Sequence, residues 1–136
     1  GACLMMRPVG RFDERYFLYC EDTDLCKRLS KLGTILYVPE ARFTHELGSS
    51  SSKDRWRSIA RYNRGKELFF EIHHGKATAS LAFAIDRLGA LIRLAIWLIP
   101  TLVTLGLVSR LRRQVSMFWR VLVAPRLGPD SPAPQS

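Results

Sequence analysis

Apolar positions along the chain fall into a few distinct rhythms, and each rhythm implies an element. Leu25, Leu29 and Leu32 recur at helical spacing behind an acidic group, Glu21, Asp22 and Asp24. Lys27, Arg28 and Lys31 occupy the later turns, where cations suit the helix dipole, and Gly33 stands beyond as a C-terminal cap. A helix is therefore predicted with the acids at its N-terminus. "GACLMMR" at the start and "TILYVP" at 34–39 read as strands, the second ended by Pro39, and "ARFTHE" reads as a further extended segment. "PVGRFDER" is a turn-rich loop around Pro8 and Gly10, and "LGSSSSKD" a polar connector. Over 54–74, Trp56, Ile59, Tyr62, Phe69 and Phe70 form a broad stripe among charged residues, the pattern of an amphipathic helix packed on its aromatic side.

Beyond Lys76 the composition changes to "ASLAFAIDRLGALIRLAIWLIPTLVTLGLVS". Residues 94–109 carry no charge, yet as a straight helix that run reaches only about 24 Å, short of a hydrocarbon core of ~30 Å. Arg87 and Arg93 precede it, and Arg110, Arg112 and Arg113 follow. Either these arginines snorkel at the ends of a short span, or the region lies in the membrane interface as helices kinked at Pro100 and Gly106. "VSMFWRVLVA" is a second apolar piece, and "PRLGPDSPAPQS" reads as a disordered Pro-rich tail.

Composition narrows the function. The formal net charge of +9 favours anionic partners, but no recognition helix, zinc-finger spacing or aromatic-basic strand motif points to nucleic acid. Cys3, Cys20 and Cys26 lie among apolar neighbours without CxxC spacing and read as reduced core residues; a zinc site from Cys20, Cys26 and His45 lacks ligand-pair spacing. His73 and His74 are adjacent, so they point about 100° apart on a helix and read as helix-end residues rather than a metal pair. The 136-residue chain opens on an apolar run without Met and reads as the C-terminal part of a larger protein.

"GACLMMR", "FDERYFLYCEDTDLCKRLSKLG" and "YVPEARFTHELGSSS" together resemble the C-terminal half of the catalytic domain of family 2 glycosyltransferases, particularly the bacterial rhamnosyltransferase-like members, over roughly residues 1–76. The resemblance implies an α/β fold of GT-A type that binds a nucleotide-sugar and inverts the anomeric centre. Three parts are then expected: 1–76, the acceptor side of the catalytic domain; 77–124, apolar and basic membrane-associating helices; 125–136, the tail. Asp22 falls on the second acid of the family's "ED" pair and is implied to be the general base, with Glu21 and Asp24 beside it. A helix N-terminus favours its carboxylate form and the neighbouring acids favour the proton, so the clustering would position and tune a base. Helix capping by Asp22 or Thr23 is the plainer alternative.

The resemblance further implies that His45 joins a DxD motif around Mg²⁺ or Mn²⁺, the cation neutralising the leaving diphosphate, and that Arg42 contacts diphosphate oxygens. Two features depart from the family pattern: Gly10 is followed by Arg11 instead of a second glycine, and no DxD motif occurs in these residues. The donor-binding half therefore lies elsewhere, and this chain alone is expected to be inactive. The implied partners are a nucleotide-sugar donor, with rhamnose a candidate sugar, a lipid-linked or cell-surface glycan acceptor, and a membrane surface on the cytoplasmic side of the cell membrane. Two rivals remain at this point: a non-catalytic membrane-binding module, and a processive synthase, whose QxxRW-like motif is matched here only by Arg55 and Trp56.

Overall fold

The computed structural model describes residues 4–6, 10–44 and 55–125. Within them lie four helices, α1 (Glu21–Leu29), α2 (Arg55–His74), α3 (Lys76–Val103) and α4 (Ser109–Val123). The described residues contain no strand, so the α/β layering expected above is not seen among them. Segment 34–38 and its continuation to Thr44 are non-helical and unpaired, and Leu36, Tyr37 and Phe43 stand exposed. The reason is physical: strand hydrogen bonds need a second strand, and β-branched and aromatic side chains need a covering layer. Cys3, His45, the connector at 47–54 and the tail beyond Pro125 lie outside the described residues, as does most of the first expected strand.

Helices α2, α3 and α4 pack on one another in sequence. Gly75 alone joins α2 to α3, at φ 85 and ψ 169, a region open essentially to glycine only. Lys66 Nζ pairs with Asp86 Oδ1 at 2.5 Å across this reversal. Ala79, Ala82 and Ala90 are buried along one face of α3, so the small side chains let the neighbouring helices approach closely. The second reversal, 104–108, returns α4 antiparallel along α3. Arg87 of α3 donates to the carbonyl oxygens of Val121, at 2.7 Å, and of Leu122 and Ala124, supplying donors that the last turn of α4 otherwise lacks. Pro100 sits inside α3, one turn before its end, and Gly106 lies in the reversal.

The packed face of α2 differs from the aromatic stripe expected. Gly65, Glu67 and Leu68 are its buried residues, whereas Tyr62 is exposed and Trp56 and Phe69 are half-buried. The rings serve instead as platforms for cations: Arg57 and Arg120 lie over Trp56, and Lys27 over Phe69. Gly65 faces α1. A Cβ there would stand 2.6 Å from the Tyr19 carbonyl oxygen, closer than real contacts allow.

Gly65→Ala therefore sets two effects against each other. In an unencumbered helix interior the change gains about 1 kcal/mol, but here the methyl meets backbone that cannot rotate away, at a cost of ~1–3 kcal/mol. We expect the variant to melt several degrees lower; a raised Tm would show that the turn before α1 does not seat on this glycine.

Candidate active site

The acidic group stands at the head of α1 through an abrupt local turn. Tyr19 and Cys20 both adopt left-handed backbone, with φ 72 and 67. For non-glycine residues this costs about 1–2 kcal/mol each, and it persists only where the surroundings hold it. Three contacts do so. The Tyr19 ring meets Tyr62 of α2 edge-on at 6.1 Å, its carbonyl lies over Gly65, and the Cys20 carbonyl accepts the Asp24 amide at 2.9 Å. Cys20, not an acid, is the N-cap, and its side chain makes no capping hydrogen bond. The capping alternative for Asp22 or Thr23 thus does not describe this helix start.

The three acids of the first turn have different surroundings. Asp24 is fully buried. Its Oδ2 accepts from Arg28 Nε at 2.8 Å, and its Oδ1 from His73 Nε2 at 2.7 Å and from the Tyr16 hydroxyl at 3.5 Å. These donors come from α1 itself, from α2 and from the loop before α1. Arg28 also donates to the Arg11 carbonyl at 2.7 Å, tying that loop to the same point, while Gly10 closes on Leu25 and Leu29. Asp22 is half-buried, and its Oδ1 accepts the Thr23 amide at 2.8 Å. Glu21 is half-buried, with Oε2 enclosed and unbonded among the described residues. Asp22 is therefore partly open to solvent, whereas Asp24 is closed off from it.

Burial, followed by the charges of Asp24 and Asp13, pushes the Tyr16 hydroxyl well above its ordinary range. Burial and then Glu21 push the Cys20 thiol up, with Lys66 opposing, so Cys20 is a poor nucleophile at neutral pH. Cys20 and Cys26 are free thiols, and among the described residues no three His, Cys, Asp or Glu side chains converge as a metal site. Arg42 is exposed on the extended segment after Pro39, and His45 lies outside the described residues.

Sequence reasoning missed Tyr16, Arg28, Gly65 and His73 as parts of this site. Of these only Arg28, four residues after Asp24, has a local signal. The adjacent histidines take separate partners: His73 bonds Asp24, and His74 Nε2 lies 2.8 Å from Lys27 Nζ.

Curated relatives now give this geometry a context. Over 80 residues, 54% of this chain, the sequence is 39% identical to N-acetylglucosaminyl-diphospho-decaprenol L-rhamnosyltransferase of Mycobacterium tuberculosis, in both strain CDC 1551 / Oshkosh and strain ATCC 25618 / H37Rv. Over 38 residues, 27% of this chain, it is 55% identical to rhamnosyltransferase WbbL of Escherichia coli strain K12, covering 14% of that protein. The matched part is similar in sequence to these rhamnosyltransferases. The chain spans about a quarter of the length of the mycobacterial relative, 26%. No family model and no solved structure matches it.

Two outcomes test the arrangement in the whole protein. His73→Ala leaves Asp24 a donor short in a buried place and should cost about 1–3 kcal/mol in denaturant unfolding; an unchanged midpoint would mean that the bond does not hold α1. Tyr16 has its pKa raised by folding, so its contribution is complete below the ordinary tyrosine range of about pH 10 and is lost as pH climbs through and above it. Stability measured from pH 9 upward should fall more steeply in wild type than in Tyr16→Phe.

Proposed function

We propose that the whole protein is an inverting glycosyltransferase that moves a sugar, with rhamnose the leading candidate, from a nucleotide-sugar to a lipid-linked acceptor. The observation that carries this reading is the 39% identity over 80 residues to a transferase whose name specifies a diphospho-decaprenol acceptor. On this reading residues 34–44 are sheet strands of a GT-A-type α/β domain, paired by the rest of that domain. Their exposed apolar side chains, Leu36 and Tyr37 foremost, support it, because such residues suit a covered sheet.

Asp22 is the general base. It accepts the acceptor hydroxyl proton as that oxygen attacks the anomeric carbon; the bond from that carbon to the diphosphate breaks, and the nucleoside diphosphate leaves from the opposite face with the bonding pair. Inversion by single displacement needs a base on the acceptor side. Its half-buried place on α1 supports that role, as does the engagement of Asp24 by three protein donors. Glu21 lines the same turn. Arg42 would meet diphosphate oxygens. A divalent cation, if used, would be held by His45 together with acidic residues outside this sequence, and would neutralise charge on the leaving group.

Asp22→Asn keeps shape and hydrogen bonding but removes the base. Assayed in the whole protein with a dTDP- or UDP-sugar donor and a polyprenyl-diphosphate acceptor, it should lose about 10²–10⁴-fold in kcat with an unchanged melting temperature. Near wild-type turnover would remove Asp22 from the chemistry.

A further inference from the structure

The reversal between α3 and α4 is built against local preference in two ways. At the end of α3 the Gly106 amide bonds the Thr101 carbonyl at 2.7 Å and the Leu105 amide bonds the Leu102 carbonyl at 2.9 Å, the pattern of a Schellman cap. Its left-handed position belongs by preference to glycine, yet Leu105 fills it at φ 50. The side chain gains little within the chain, being 85% exposed, with Val103 and Leu107 exposed beside it. The second departure is electrostatic. α4 opens with Arg110 and Arg112 in its first turn and Arg113 next, with no acidic residue there, where the helix dipole disfavours cations.

This tip continues an exposed apolar stripe on α3 through Leu81, Ile85, Leu88, Ile92 and Ile99. From Arg87 to Pro129 the chain carries arginines and no acidic residue. Among the described residues no helix is long and apolar enough to cross a membrane. An occupant must therefore be apolar where Leu105 and Leu107 enter, anionic where the arginines sit, and shallow.

We propose that the α3–α4 tip is a docking wedge for an anionic lipid bilayer: Val103, Leu105 and Leu107 enter the acyl boundary while Arg110, Arg112 and Arg113 meet lipid phosphates. This rests on the proposed lipid-linked acceptor and adds the surface that holds the enzyme beside it, at the cytoplasmic leaflet. A partner of this kind offsets both local penalties, since it buries the strained leucine and neutralises the misplaced cations.

Leu105→Gly and the double variant R112E/R113E separate docking from folding, because each relieves a local conflict. The full-length protein is sedimented with phosphatidylcholine vesicles, and with vesicles in which about one third of the lipid is phosphatidylglycerol. Wild type should bind the anionic vesicles in preference to the neutral ones. Each variant should bind them about tenfold more weakly while melting at the same or a higher temperature. If wild type binds and the variants match it, the tip is wrong although membrane attachment stands. If wild type does not bind, tip and attachment both fall, whereas Asp22-dependent transfer to a detergent-dispersed acceptor still stands or falls alone. Self-association without vesicles that Leu105→Gly abolishes would make the tip a contact between copies and overturn the proposal.

Discussion

One buried carboxylate fixes how α1 sits. Asp24 has no solvent to stabilise its charge, so its donors must come from the protein, and Arg28, His73 and Tyr16 bring α1, α2 and the preceding loop to one point. Stranding such a group costs about 3–5 kcal/mol, so α1 cannot slide or rotate freely on α2. Residues two apart on a helix point about 200° apart. With Asp24 turned into the protein, Asp22 lies on the other side of the helix, half-buried, where the proposed function puts the acceptor hydroxyl. On the proposed function the acidic group thus divides its labour by helical geometry: Asp24 holds the helix, and Asp22 is presented.

The left-handed turn at Tyr19 and Cys20 depends on the same docking. Its strain is sustained by Gly65 and Tyr62 of α2, more than forty residues further along the chain. Tyr19 and Cys20 here, and Leu105 at the distal tip, are the non-glycine residues with positive φ among the described ones. Both places coincide with proposed work, the first presenting the acids and the second meeting a surface, as expected where local rules yield to function.

Much of the helical content was legible. The 3.6-residue spacing of Leu25 and Leu29 and the stripe between Trp56 and Phe70 mark α1 and α2, since both patterns are local. The strand readings at 34–44 rested on residue preference, and preference alone makes no ladder without a partner strand. The candidate base was legible only through its resemblance to a motif. What anchors it was not, because His73 meets Asp24 across 49 residues and no spacing rule reaches that far. The aromatic residues of α2 likewise misled, for an apolar stripe does not distinguish core from a platform for the cations over Trp56 and Phe69.

That Asp24 anchors α1 through His73 is the claim on which the rest turns, and a double-mutant cycle tests it most directly. Asp24→Asn, His73→Gln and the pair would be compared with wild type by denaturant unfolding of the whole protein. We expect a coupling energy of about 1–3 kcal/mol between the two sites, as for contacting residues in one buried network. Additive effects, with coupling near zero, would contradict the anchoring role and leave the presentation of Asp22 without a structural cause.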